Sequence, residues 1–419
     1  MINDMAKMTA RRRKTALVLL TLAIFAVGTA ELLPMGLLLP ISSDTGVSIS
    51  VAGMLVTGYA LGVVFGGPVL SAMSGRLPRR TVMNAFMVLF IVGSVVCAVA
   101  PSYGVLLAGR IVSSLAHGTL FGAIVVTAKD LAEPGKEGRS IAWVGSGLTV
   151  AVILGAPLGT FLGQQFGWRI PFLVIALLAA AAWVGMLRGI PPLPRVEGVA
   201  SLRKQISIVS RPAFMLVLLI TVFGTGGTFA GFTYITPILE RITGFSSDSV
   251  TIVLLVFGAG SILGNLAGGR WADKKLLPTL FGGMLLLAAS LAIFTWTNEF
   301  KPAAVVSVFV WGFASYSIIA PLNIRVLQKA GEAQELASAL NISAFNMGNA
   351  LGAFVGGLAI DSSLGLASVP WVASLIVIVG LVLTVWSAAL ERQERRSACG
   401  RQSDRTISQS NPKGDLNVQ

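Results

Sequence analysis

Long apolar runs separated by short polar intervals dominate the chain. About 20 apolar residues suffice to cross the hydrocarbon of a bilayer as a helix. Runs of that kind fall near 15–40, 51–73, 81–100, 103–128, 140–163, 169–189, 212–237, 249–269, 277–296, 302–325, 337–360 and 369–389. They predict about twelve spanning helices. Pro40, Pro101, Pro134 and Pro302 sit at or near the breaks, where residues that interrupt helices belong. The run after Arg11-Arg12-Arg13-Lys14 begins like a secretory leader. It continues to about Pro40, contains Glu31 and has no small-x-small cleavage site, so it reads as an uncleaved first span.

Within these runs glycine recurs every fourth residue. The stripes are Gly58/Gly62/Gly66, Gly155/Gly159/Gly163, Gly260/Gly264/Gly268 and Gly348/Gly352/Gly356. Residues four apart share one helix face, and such faces let helix backbones approach closely in lipid. Four stripes in two matching pairs suggest two helical bundles that meet along glycine seams and rock against each other. The alternative is ordinary tight packing within one bundle, since Gly is common in membrane helices.

Composition agrees with a membrane protein. The 419 residues are 54% hydrophobic and only 12% charged, with a mean hydropathy of +0.81, whereas soluble domains carry about 25% charged residues. The net charge of +13 has a topological origin. With both termini on the cytoplasmic side, all but four of the 31 Lys and Arg fall in cytoplasmic segments, as positive charge in membrane proteins does. The exceptions are Arg169, Arg241 and Lys301 outside, and Arg110 within a span. A nucleic-acid partner is therefore not expected. Cys97 and Cys399 form no disulfide framework, and a single His (His117) excludes a His-based metal cluster.

The chain is also an internal repeat. Gly46-Val-Ser, then a span ending Ser71-Ala-Met-Ser-Gly-Arg-Leu-Pro-Arg-Arg80, returns 198 residues later as Gly244-Phe-Ser, a span, and Gly269-Arg-Trp-Ala-Asp-Lys-Lys275. Gly155-Ala-Pro-Leu-Gly159 likewise corresponds to Gly352-Ala-Phe-Val-Gly356. This gives an all-α polytopic membrane protein with two six-helix pseudo-repeat halves. The expected divisions are a cytoplasmic N-terminus (1–14), an N-terminal six-helix bundle (15–189), a basic, proline-containing cytoplasmic linker (190–211), a C-terminal bundle (212–390) and a polar, disordered cytoplasmic tail (391–419). Parallel halves related by an axis along the membrane normal are a recurring transporter architecture.

These features resemble the major facilitator superfamily over about 15–390. Within it they resemble the bacterial drug:proton antiporter branch, which includes arabinose-, purine-nucleoside- and chloramphenicol-efflux proteins. Segment 71–80 occupies the superfamily's loop between helices 2 and 3, with Arg76, Arg79 and Arg80 matching. Gly75 stands where the motif has its Asp and Pro78 where it has its second Gly, while the second copy retains an acid as Asp273. Arg110 with Gly118 matches the helix 4 motif. Gly147, Gly155, Pro157 and Gly159 match the helix 5 motif associated with exporters, and Gly163-Gln-Gln-Phe-Gly-Trp-Arg169 also resembles this branch. The resemblance implies that helix 2 faces helix 11 and helix 5 faces helix 8 across the interface between halves. That assigns gating or interface roles to Arg76, Arg79, Arg80, Gly155, Pro157, Gly159, Asp273, Gly352 and Gly356.

Two strongly charged side chains, Glu31 and Arg110, lie deep in predicted spans. Such residues are costly in hydrocarbon and mark function. Both fall about 12–14 Å from the outer end of their helices at the α-helical rise, so an ion pair is feasible, either as a proton carrier or as a static brace. His117 lies seven residues beyond Arg110, close to the same face, and reads either as a proton-exchanging group or as a neutral His bonded to a helix carbonyl. Glu31, Arg110 and His117 are the proton-coupling candidates. The second half has no such charges near Thr228 and Ser307–Val308, the corresponding regions. Its cavity candidates, on helices that line the cavity in the resembled family, are Thr225, Phe229, Tyr234, Trp311 and Tyr316, a set suited to neutral, partly apolar solutes. Asn341, Asn346 and Asn349 either bond across helices or touch substrate.

The sequence contains no nucleotide-binding loop, no His/Cys cluster and no paired carboxylates within a span. The reading is therefore not an enzyme and involves no cofactor or metal. It is a monomeric, multi-pass protein of the bacterial inner membrane, whose partners are a small-molecule substrate, protons and lipid. The expected activity is proton-coupled efflux of a small neutral or amphipathic solute (drug, sugar or nucleoside) by alternating access. A proton-coupled importer or a uniporter on the same fold is the alternative.

Overall fold

The computed structural model describes residues 9–74, 77–133, 135–191, 207, 210–330 and 334–409. Twelve helices among them are long and apolar enough to cross a membrane. They are α1 Ala10–Thr45, α2 Ile49–Ser74, α3 Arg79–Ala98, α4 Tyr103–Asp130, α5 Glu137–Phe166 and α6 Arg169–Gly189 in the first half. The second half has α7 Pro212–Thr233, α8 Ser247–Lys274, α9 Leu276–Thr297, α10 Lys301–Ala330, α11 Gln334–Asp361 and α12 Val369–Gln409. The α12 backbone stays helical to Gln409, where a disordered tail was expected from 391. At that junction Glu391 accepts from Arg325 at 3.2 Å and pairs with Lys329 at 2.6 Å, which anchors the added turns. Most of the linker (192–206, 208 and 209) and residues 410–419 lie outside the described residues.

Each half has its own apolar core. Leu20, Ile24, Phe90, Leu120 and Phe172 belong to the first. Leu280, Leu287, Phe294 and Trp311 belong to the second, which continues across the interface through Leu32, Met35, Val56 and Val152. The repeat is visible in the backbone. Gly46 (φ 71°) ends α1 and Gly244 (φ 72°) precedes α8, both in the left-handed region that favours glycine. Three spans are interrupted. A π-helical turn at Ala151–Gly155 precedes Pro157 in α5. Span α7 breaks at Tyr234 before a short helix, Ile235–Arg241, and α10 breaks at Ile318.

The glycine stripes do not form the seam between halves. A Cβ on Gly62 or Gly66 would meet Ser114 or Leu115 of α4, and one on Gly155, Gly159 or Gly163 would meet Thr29, Leu33 or Leu37 of α1. In the second half, Gly260, Gly264 and Gly268 abut Phe309, Phe313 and Ser317 of α10, while Gly348, Gly352 and Gly356 abut α7 and Tyr234. Each stripe therefore closes its own bundle, in the same pattern twice. Four-residue spacing fixes a helix face but not the neighbour that fills it. The expected partners α2/α11 and α5/α8 do pack across the interface, through other residues. Gly357 of α11 lies against Ser50 of α2 and Gly258 of α8 against Ile153 of α5, while Gly53 of α2 meets the Tyr234 hydroxyl at the end of α7.

Candidate functional site

The site begins with a proline. Pro34 lies inside α1 and has no N–H, so the carbonyl four residues earlier, at Ala30, loses its helical partner. Arg110, buried in α4 (1% exposed), fills that gap by donating Nη1 to the Ala30 carbonyl. Its Nη2 donates to the Glu31 carbonyl at 3.2 Å, and its guanidinium carbon lies 4.0 Å from the centre of the Tyr59 ring. The cation is thus held by carbonyl dipoles and an aromatic face.

The expected Glu31–Arg110 ion pair is absent among the described residues. The guanidinium is turned to the α1 backbone, which leaves the Glu31 carboxylate free for other partners. Asn349 of α11 donates Nδ2 to Glu31 Oε1 at 2.9 Å, across the interface between halves. His117 Nδ1 lies 4.0 Å from Glu31 Oε2 and 3.2 Å from the Tyr59 hydroxyl. His117 is thus bonded to a phenol, not to a helix carbonyl. Tyr59, His117, Glu31 and Asn349 form a polar chain from inside the first half to the second. Glu31 alone keeps appreciable exposure, with 14% of its side chain accessible. A carboxyl so placed is within reach of solvent, and its bond to Asn349 spans the contact between halves.

Among the described residues, hydrogen bonds between the halves lie at this chain or farther from the end that carries Arg79, Arg80, Lys274 and Lys275. Thr236 donates to the Met35 carbonyl at 3.1 Å, Ser50 to Asp361 at 2.6 Å, and Gln165 to Asp248 at 2.9 Å. The structure is closed at its far end. On the first half this end is braced by Trp168 and Arg169, which donate to Asp44 at 2.9 and 2.8 Å, and by Arg169 bonding the Ala100 carbonyl.

The cavity candidates divide. Phe229 and Tyr316 are partly exposed. Thr225, Tyr234 and Trp311 are buried in packing and depart from expectation. Thr225 bonds back to the Thr221 carbonyl at 2.8 Å. Tyr234 donates to the Ala353 carbonyl at 2.8 Å and wedges against Gly53. Trp311 packs edge to face with Phe232 and Phe257 and at a tilt against Phe294. An aromatic on a cavity-lining helix still has a rear face to fill, and these three occupy it.

The loop motif is rewired. Arg79 pairs with Asp130 at the end of α4, which supplies the carboxylate missing at Gly75, and Arg80 donates to the Leu187 carbonyl at 2.5 Å. Gly75 and Arg76 lie outside the described residues. Asp273 is exposed and makes no ion pair among the described residues. Pro157 is buried at the start of the helical segment after the π turn, and Gly155, Gly159, Gly352 and Gly356 pack within their halves. Sequence reasoning missed Tyr59 and Asp130. The 58-residue separation of Tyr59 from His117 hid the first, whereas Pro34 four residues after Ala30 was a readable signal for a carbonyl in need of a donor.

Twelve apolar helices in two related bundles, joined through a buried polar chain, define a multi-pass membrane carrier. The chain belongs to the Major Facilitator Superfamily, whose family model matches residues 20–340. It is 39% identical to the inner membrane transport protein YdhP of Escherichia coli (strain K12), over 91% of this chain and 97% of that one. It is 32% identical to the chloramphenicol resistance protein of Streptomyces lividans, over 88% and 94%. Such relatives are consistent with the drug:proton antiporter branch. In fold it is similar to a bacterial homologue of the human lysosomal transporter Spinster (TM-score 0.71, 17% identity, covering 91% and 96% of the two chains).

Proposed function

We propose that the protein exports a small neutral or amphipathic organic solute in exchange for protons. Glu31 carries the proton and both termini are cytoplasmic. The observation that carries this reading is the Glu31–Asn349 bond. The acid's only side-chain hydrogen bond among the described residues comes from the opposite half, so changing its protonation changes a bond that must break when the halves part. His117 and Tyr59 supply the relay toward the interior of the first half, and the rings of Phe229 and Tyr316 supply surface for an uncharged solute. The loop charge pattern supports the orientation. The Streptomyces lividans relative, named for chloramphenicol resistance, supports export of a drug-like solute.

The test uses proteoliposomes loaded with chloramphenicol, a purine nucleoside or a pentose, together with a pH-sensitive dye. Antiport acidifies the lumen as solute leaves it. Glu31→Gln abolishes the acidification and reduces pH-driven flux to that of empty vesicles, with melting behaviour retained. A lumen that turns alkaline, or acidification intact in Glu31→Gln, sinks the reading.

A further inference from the structure

At the basic end of the second half, α8, α9 and α10 leave a groove of about 410 Å³. Its walls are apolar, formed chiefly by Trp271, Phe313 and Leu286, with the Trp271 and Phe313 rings 6.2 Å apart. Gly282 lies along it, and a Cβ there would meet nothing within 4 Å. Lys274 and Lys275 also line the groove. Helix α9 packs on α8, α10 and α12 of its own half, and its outer face exposes Phe281, Leu285 and Ile293. The groove therefore opens laterally, toward the bilayer and away from the interface between halves.

The repeat makes the two lysines conspicuous. In the matching loop of the first half, Arg79 and Arg80 are committed to Asp130 and to the Leu187 carbonyl. Lys274 and Lys275 are exposed, and their ammonium groups have no ion pair or hydrogen bond among the described residues. Two uncompensated cations and an indole lie where chain meets headgroup, beside an apolar slot. Indoles favour that level, and basic pockets between helices suit anionic headgroups. A soluble phosphate would satisfy the lysines and leave the slot empty. A zwitterionic lipid brings its own cation to the same place.

We infer that this groove seats one anionic phospholipid, its phosphate on Lys274 and Lys275 and an acyl chain along Trp271, Phe313 and Leu286. The experiment measures retention of phosphatidylglycerol against phosphatidylcholine on the purified full chain by native mass spectrometry, with affinities from titration in phosphatidylcholine nanodiscs. Phosphatidylglycerol is preferred by the wild type. Lys274→Gln with Lys275→Gln weakens it about twenty-five-fold, taking about fivefold per surface lysine. Gly282→Trp, which fills open space and leaves both cations in place, also removes the preference. Equal retention of the two lipids, phosphatidylglycerol binding unchanged in either variant, or its full displacement by inorganic phosphate overturns the inference.

Discussion

The two halves make the same contact with opposite chemistry. Carrying the repeat through, Glu31 corresponds to Thr228, His117 to Ser315 and Tyr59 to Phe257. In the first half, His117 stands 4.0 Å from the Glu31 carboxylate with Tyr59 bonded behind it. In the second half, Thr228 donates to Ser315 at 3.0 Å and Phe257 meets Trp311 edge to face with centroids 5.5 Å apart. The repeat preserved a helix-to-helix polar contact at this depth and changed which groups make it. Hydroxyls hold helices together without changing charge near neutral pH, whereas a carboxyl and an imidazole can change it. The difference teaches that the repeat keeps the contact while its chemistry varies, which leaves the titratable pair of the first half available for the proton exchange proposed above.

Exchanging the chemistry between halves gives the largest expected effect. Glu31→Thr with His117→Ser rebuilds the second half's neutral pair in the first. Such a variant should fold, since the second half is stable with that pair. It should also lose proton movement entirely, while downhill solute exchange, measured with labelled chloramphenicol, persists. Misfolding of the double variant would mean that the acid and imidazole are structural, and the contrast between halves would then lose its meaning.

Next in size is the anchoring of Arg110. The corresponding position in the second half lies near Val308, and Pro34 corresponds to the region of Gly231, so that half has neither the freed carbonyl nor the cation. Arg110→Met leaves the Ala30 carbonyl unpaired, at a cost of about 1–3 kcal/mol. Pro34→Ala restores an N–H for that carbonyl. The cost of Arg110→Met should therefore shrink in the Pro34→Ala background, as read by unfolding in detergent across the four variants of a double-mutant cycle. Additivity within about 0.5 kcal/mol would remove the proline from the explanation.

Much of this was legible in the sequence for physical reasons. Long apolar runs have one solution in lipid, so the span count emerged. Counting residues in from the outer helix ends placed Glu31 and Arg110 at one depth, and the structure does bring their helices together. What the sequence left open was direction. Periodicity put Gly62 and Gly155 on smooth faces without saying which neighbour those faces meet. Arg110 was read as the partner of a carboxylate, yet a freed carbonyl competes well for a guanidinium. Tyr234 and Trp311 were read as cavity rings, yet in a bundle an aromatic's rear packing has the same composition as its front. Asn349 was read as a cross-helix bonder or a substrate contact without its acceptor, because the acceptor is 318 residues away.

The smallest expected effect separates closure within a half from closure between halves. Gly260 and Gly258 are two residues apart on α8. A Cβ at Gly260 would strike the Phe309 backbone of its own half, and backbone cannot swing aside. Gly260→Ala should therefore cost about 1–3 kcal/mol of stability, as overpacking does. At Gly258 the Cβ would come within 3.1 Å of Ile153 Cα in α5, across the interface. The halves can relieve that contact by parting slightly, so Gly258→Ala should leave the melting temperature nearly unchanged and disfavour the closed far end. A bias of about 1 kcal/mol is about a fivefold change in the ratio of closed to open molecules. Spin-label distances between the far ends of α5 and α8 would read it directly. A matched loss of stability in both variants, with no change in distance distribution, would mean that the seam between halves is as rigid as the seams within them.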